Sequence, residues 1–256
     1  MSDLITDIHP SIARVTINRP DRRNAISSAM WQELEAIAAR LNDDPTIKIA
    51  VIAGAGTAAF SAGADIVEMQ QGLADPTRMK VMQQAVLDAQ AAWERLPMPT
   101  LAVIRGACTG GGCGLALACD LRLATPDAFF AIPPAKLGLA YSLADTKRLY
   151  DLVGPSRSKE ILYTGRRILA DEALSLGLVN EIVAAEALEE RAVSLAGEIA
   201  ENAGNSVRAA KAVVNMITTG VLTETSESRR YYDESFSSPE FLEGARAFIE
   251  KRRPRF

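Results

Sequence analysis

The sequence holds a single histidine, three cysteines and two tryptophans, and aromatic residues make up only 5% of its 256 positions. The one histidine, His9, stands beside Pro10 ahead of the first apolar run, which suits a solvated or capping residue better than a catalytic base. Ligand spacing for a metal site is lacking, and Ser61 lies outside any Gly-x-Ser-x-Gly elbow, which argues against a Ser–His–carboxylate triad. Cys108, Cys113 and Cys119 are odd in number and form no Cys-x-x-Cys pair. This argues against a disulfide framework or a zinc ligand set, and they read as small buried apolar residues in a reducing compartment. Uncharged apolar runs of about 18 residues are absent, and Met1-Ser2-Asp3-Leu4 lacks the basic-then-apolar order of an export signal, so the expectation is a cytoplasmic chain without a membrane partner. A formal net charge of −4 disfavours a nucleic-acid surface. The local basic tail Arg252-Arg253-Pro254-Arg255 suits a phosphate-bearing ligand equally well.

What is present is an ordinary globular composition, 48% apolar and 23% charged, in a chain long enough for one large core or a core with an appendage. Ile12–Ile17 alternates like a half-buried strand. The runs 47–52, 101–104, 121–124, 129–132 and 179–183 read as further strands. Met30, Leu34, Ile37 and Leu41 recur at helical spacing after Ser27-Ser28, either of which can cap the helix. The stretch from Met69 to Thr77, with Gly72 and Asp75-Pro76, reads as a mobile loop ahead of a helix carrying Met79, Met82, Val86, Ala89 and Trp93. From about Leu188 the pattern is nearly all helical. The organisation predicted is an α/β core over 1–195 and a helical region over 196–256.

Two stretches carry the chemistry. Phe60-Ser61-Ala62-Gly63-Ala64-Asp65-Ile66 and Gly106 to Ala116 each place small residues between an apolar strand and a helix-forming run. Such turns can aim backbone N–H groups at one oxygen atom, as stabilisation of an enolate or tetrahedral intermediate requires. Taken singly, either is equally well read as an ordinary tight turn. The run Gly110-Gly111-Gly112-Cys113-Gly114 has neither the Gly-Lys-Ser/Thr ending of a nucleotide loop nor the Gly-x-Gly-x-x-Gly spacing of a dinucleotide fold. A helix starting near Gly112 would instead direct its positive end, and the Gly111 N–H, at a carbonyl oxygen.

Phe-Ser-Ala-Gly-Ala-Asp-Ile at 60–66, Gly-Gly-Gly-Cys-x-Leu-Ala at 110–116 followed by Cys119-Asp120, and Glu243-Gly244 with Ala247-Phe248-x-Glu250-Lys251-Arg252 resemble the crotonase (enoyl-CoA hydratase/isomerase) superfamily. The match runs in order from Asn18-Arg19-Pro20 to Arg253. This resemblance implies a crotonase-like ββα spiral core with a helical C-terminal trimerisation region, and a homotrimer or hexamer. It implies an acyl-CoA substrate, with coenzyme A entering as part of that substrate and neither a separate cofactor nor a metal. The positions matching the family's two oxyanion donors are Ala64 and Gly111. Arg22-Arg23-Asn24-Ala25, with Ala62, Asp65 and Ile66, matches the stretch lying along the nucleotide and pantetheine, so Arg23, Ala25, Ala62, Asp65 and Ile66 are expected substrate contacts. Phe248 and Lys251 match residues that the C-terminal helix brings to the ligand, often from a neighbouring subunit.

The chain departs from the family's hydratases where those enzymes use two glutamates to activate water. The first position is Gly114 and the second aligns with Pro134, and neither residue can transfer a proton. The expectation is an acyl-CoA lyase or isomerase acting through an enolate, by decarboxylation or double-bond isomerisation. The alternatives are a hydratase with unusual acid–base residues and a non-catalytic acyl-CoA-binding relative. Tyr141 stands in the loop where related isomerases and decarboxylases place a reactive side chain, and decarboxylases resembling methylmalonyl-CoA decarboxylase carry tyrosine there. It reads equally as a core aromatic with a hydrogen-bonded hydroxyl. Ser142 and Asp145 are weaker candidates, Asp145 being better read as a helix N-terminal residue. Glu68 is expected on a solvated helix face of a segment able to swing into the pocket.

Overall fold

The computed structural model describes residues 2–256. Strands β1 (Leu4–His9) and β2 (Ile12–Ile17) form an antiparallel hairpin, followed by helix α1 (Ser28–Asp43). Next come β3 (Ile49–Gly54), β4 (Ala59–Ser61), α2 (Ile66–Leu73) and α3 (Pro76–Glu94), then β5 (Thr100–Ile104), β6 (Ala107–Thr109) and α4 (Gly111–Leu117). After β7 (Leu121–Ala124) and β8 (Phe129–Ala131), a short 3₁₀ turn at Pro134–Leu137 leads into α5 (Leu143–Thr164). The chain closes its core with β9 (Arg167–Leu169), α6 (Ala170–Ser175), β10 (Glu181–Ile182) and α7 (Leu188–Ala200), and ends in α8 (Gly204–Thr218), α9 (Ser226–Ser235) and α10 (Pro239–Glu250).

One sheet has the order β1-β2-β3-β5-β7-β10 and the other β4-β6-β8-β9. Consecutive strands therefore alternate between sheets: β3 then β4, β5 then β6, β7 then β8, each pair followed by helix. That is the ββα spiral, built without any repeat in the residues. Pairing within the spiral is parallel, and β1 and β9 add antiparallel edges. Because β3 is covered on both faces, its residues from Ile49 to Ala53 are all buried and none alternates with a polar residue. Ala50 and Ile52 pack toward α1, Trp93 and the small sheet, while Ile49, Val51 and Ala53 pack against Leu188, Ala192 and Ala196 of α7.

Several expectations change. The stretch read as a mobile loop is helix α2 and the start of α3, separated by Ala74 and Asp75; Gly72 is buried against Met79 and Met82, and Asp75 caps α3 by accepting from the Thr77 and Arg78 amides. His9 ends a strand that the alternation did not reveal, since only Leu4 of β1 is buried. The strand expected over 47–52 is shifted to Ile49–Gly54, and three-residue strands β4, β6 and β9 are too short for a periodic signal. Helix α7, which spans the position 195/196, packs on the large sheet. Among the described residues no helix is long and apolar enough to cross a membrane.

Candidate active site

Each small-residue turn connects a strand of the small sheet to a helix, β4 to α2 and β6 to α4, and because β4 and β6 are parallel neighbours the turns emerge side by side. They are then tied together. Thr109 Oγ1 donates to the Ala62 carbonyl at 2.8 Å, and the Ala62 amide donates to the Arg23 carbonyl at 2.9 Å. The Ile26 amide donates to Gly63 O and the Asp65 amide to Ile26 O, an isolated parallel bridge that leaves the Ala64 N–H between two used groups but itself without an acceptor. Gly63 has φ +92°, and a Cβ there would stand 2.9 Å from Thr109 O and 3.4 Å from Gly111 N, so the turns touch backbone to backbone. Gly111 is the first residue of α4, where an amide has no partner within its own helix. Among the described residues, the Ala64 and Gly111 N–H groups on these adjacent turns have no acceptor.

Around them the predicted ligand contacts divide. Arg23 and Asn24 both adopt left-handed backbone, φ 50° and 54°, a strained pair that persists because the surroundings hold it. Asn24 is fully buried: its Oδ1 accepts from Arg19 N, and its Nδ2 donates to Ala55 O and Ala59 O at 2.9 and 2.7 Å. This lock leaves the Arg23 side chain exposed beside Ala62 and puts Ala25 in the buried wall. Ile66 is exposed on the first turn of α2. The Asp65 carboxylate is engaged within the protein. Its Oδ1 caps α2 through the Val67 and Glu68 amides, and its Oδ2 pairs with Arg19 at 2.9 Å and Arg22 at 3.4 Å. Burial alone would raise this carboxyl, but the Arg19 hydrogen bond and the two amides outweigh it and hold the group below its ordinary value. Its side chain is structural. Phe248 and Lys251 lie exposed on and just past α10.

Glu68 is half-buried and anchored: its Oε2 accepts from Ser28 N and Ser28 Oγ, bracing the start of α1. Ser142 caps α5, accepting from the Asp145 amide and donating to Asp145 Oδ2 at 2.8 Å. The cysteines are buried and unsuited to nucleophilic work. Burial pushes the Cys108 thiol well up and the Cys119 thiol up to about 12.

Tyr141 matches neither expectation fully. Its ring packs against the main core, yet its hydroxyl is buried without a hydrogen-bond partner. Burial, reinforced by Cys113 and Asp145, pushes its pKa well up, so it remains a phenol able to donate.

Behind Gly111 lies a polar cluster that the sequence did not bring together. A Cβ on Gly114 would stand 2.3 Å from Gln90 Nε2 and 2.8 Å from Asp145 Oδ1, so a side chain here would have to displace both groups. Gln90 donates to Gly111 O at 3.1 Å, and Arg148 binds Gln90 Oε1, Asp145 Oδ1 and Glu94 Oε2 at 3.2, 3.0 and 2.7 Å. The one available signal was Gln90 itself, an uncharged polar residue next to Ala89 on the apolar face that also carries Ala85 and Trp93. Burial raises the Asp145 carboxyl above its ordinary value, against the opposing pull of Ser142 and Arg148. Pro134, at the second missing glutamate, opens the 3₁₀ turn and is half-buried.

Residues 7–256 match the sequence profile of the enoyl-CoA hydratase/isomerase family. The chain is 35% identical to a crotonyl-CoA hydratase of Syntrophomonas wolfei, over 99% of this chain and 97% of that one. Among solved structures it superimposes on an enoyl-CoA hydratase from Bacillus anthracis with TM-score 0.92 and 33% identity, covering 100% of this chain and 99% of that one. A Hyphomonas neptunium protein, described only at the level of the enoyl-CoA hydratase/isomerase family, superimposes with TM-score 0.95 and 41% identity, covering 100% and 97%. With its two-sheet ββα spiral and paired turns, the chain belongs to the enoyl-CoA hydratase/isomerase, or crotonase, family.

Proposed function

We propose that the protein acts on an acyl-CoA thioester, holding the thioester oxygen of an enolate with the Ala64 and Gly111 N–H groups, and that its reaction is decarboxylation or double-bond isomerisation and not water addition. The observation that carries this reading is the filled space at Gly114: Gln90 and Asp145 occupy the volume into which a side chain would grow. The first water-activating glutamate is therefore missing from a place where a side chain would have to displace the hydrogen-bonded ends of Gln90 and Asp145. Pro134 removes the second.

Decarboxylation suits such a site because loss of carbon dioxide leaves its bonding electron pair on the α-carbon, delocalised onto the thioester oxygen that the two N–H groups hold. The α-carbon then takes a proton. Tyr141, a buried phenol with an unused hydroxyl, is placed in this reading as the group that orients the departing carboxylate or donates that proton. Isomerisation uses the same enolate, with a proton leaving the α-carbon and one arriving at the γ-carbon. Arg23, Ala25, Ala62 and Ile66 line the coenzyme A channel in this reading. Phe248 and Lys251 act from α10 of a neighbouring copy, which accounts for Phe248 being 85% exposed in a single chain.

A second reading, hydration, draws on the crotonyl-CoA hydratase of Syntrophomonas wolfei and on the Asp145 carboxylate beside Gly114. Against it, both Asp145 oxygens are already bound, one by Ser142 and one by Arg148. The test compares one purified sample on three substrates: crotonyl-CoA for hydration, a 3-enoyl-CoA for isomerisation, and malonyl-type acyl-CoAs for carbon dioxide release. Absent acid–base groups slow hydration by about 10²–10⁴-fold per role, so ordinary hydratase turnover on crotonyl-CoA would overturn the proposal. Coenzyme A binding without turnover on any of them would mark a binding protein.

A further inference from the structure

Gln90 is fully buried in α3, and its amide is oriented without ambiguity by its neighbours. The Arg148 guanidinium carries only donors, so the group facing it at 3.2 Å is the Gln90 oxygen, and the Gln90 NH₂ therefore faces the Gly111 carbonyl at 3.1 Å. Arg148 is fixed in turn by Asp145 at 3.0 Å and Glu94 at 2.7 Å. A hydrogen-bond chain, charge-assisted at Arg148 and ending in a neutral amide–carbonyl bond, thus runs from α5 through α3 to the first residue of α4. It ends on the residue whose N–H is an oxyanion donor. That residue follows Gly110, which has φ +55°, in a turn with little torsional stiffness of its own.

We infer that Gln90 is a positioning residue for the reaction: its amide holds the 111–112 peptide through the Gly111 carbonyl, which anchors Gly111 at its Cα and so restrains the neighbouring 110–111 peptide that carries the Gly111 N–H, and a side chain at position 114 would displace this amide. The inference rests on the oxyanion role proposed for Gly111. It assigns the occupied space at Gly114 a purpose, because the volume a glutamate would need is used to stiffen the donor. Oxyanion stabilisation depends on donors fixed before charge develops, so a donor left to rotate loses effect on the chemical step while ground-state binding changes little.

The test replaces Gln90 with Met, similar in volume but without hydrogen-bonding groups, and with Glu, which keeps an acceptor for Arg148 and loses the donor to Gly111. Should Gln90→Met fail to fold, Gln90→Glu carries the test. The expected result is a fall in kcat of about 10- to 100-fold, with KM and coenzyme A affinity within about threefold of wild type. In parallel, ¹⁵N-glycine labelling reads the Gly111 amide directly, and its chemical shift is expected to move in both variants. A folded variant with wild-type kcat and an unmoved Gly111 resonance would overturn the inference. Gly111→Pro separates the two levels: if that variant keeps full turnover, the oxyanion reading fails. If it loses turnover while the Gln90 variants keep theirs, only the positioning role fails.

Discussion

The Arg19 guanidinium lies 2.9 Å from the Asp65 carboxylate, joining the loop after β2 to the turn that presents Ala64. Asp65 is buried, caps α2 and also meets Arg22. Replacing it with Asn leaves the half-buried Arg19 with only the exposed Asp3 carboxylate, 3.5 Å from its Nε, and a loss of about 3 kcal/mol in unfolding free energy is expected from denaturant titration. The pH dependence follows from the depressed folded value. Stability from Asp65 is complete above the unfolded carboxylate value near 4 and is lost as pH falls through the folded value. Wild type is therefore expected to lose stability more steeply than Asp65→Asn on acidification below about pH 4. Parallel acid curves for the two proteins would show that the pair does not set this slope.

The donor role of Gly111 is separable from its small size. A Cβ on Gly111 would stand 3.2 Å from Trp31 Cζ2, so Gly111→Ala adds mild crowding and keeps the N–H. Gly111→Pro removes the N–H at a helix position that tolerates proline. Loss of one oxyanion donor is worth about 10²–10³ in turnover. Steady-state rates with circular dichroism should show proline far worse than alanine in folded protein, and wild-type turnover in folded Gly111→Pro would reduce the glycine run to a turn.

Restoring a glutamate at Gly114 is expected to fail. The new side chain would overlap Gln90 Nε2 and put a carboxylate beside Asp145. Overpacking of this kind costs about 1–3 kcal/mol, and the buried like charge adds to it. Gly114→Glu should melt well below wild type and gain no crotonyl-CoA hydration. A stable variant with new hydratase activity would show that the space opens readily.

Tyr141→Phe removes a buried hydroxyl that has no partner, so thermal stability should hold or rise slightly. Turnover should nevertheless fall by about 10²-fold or more if the phenol serves the enolate. Equal turnover in both proteins would return Tyr141 to the core as a packing aromatic.

Phe241, Leu242, Phe248 and Ile249 leave α10 with an uncovered apolar face. Association of α8 to α10 with neighbouring copies is the expected cover, giving a trimer or a hexamer. Light scattering at micromolar concentration should report a multiple of three chains, and Phe248→Glu should shift it toward monomer. A monomeric wild type would remove Phe248 and Lys251 from any neighbour's site.

The family was legible through the resemblance of its motifs, and the spiral core came with that resemblance; the two small-residue turns were legible from the residues because backbone chemistry leaves a sequence trace. A main chain that touches a neighbouring main chain or a ligand demands residues without side chains, and Gly63, Ala64, Gly110 and Gly111 supply them in contiguous runs. The buried strands were legible for a related reason, since a strand covered on both faces, such as β3, must be apolar throughout. Tertiary packing alone decided the rest. Gln90 in α3, Asp145 and Arg148 in α5, and Gly111 in α4 are distant along the chain, and no periodicity links them; they meet because buried polar groups must find one another once three helices close on the same volume. Asp65 and Glu68 show the same principle in reverse. Both are charged residues beside a candidate site, and both are consumed by Arg19 and Ser28, partners that lie outside the motif and come within reach only when the chain has folded.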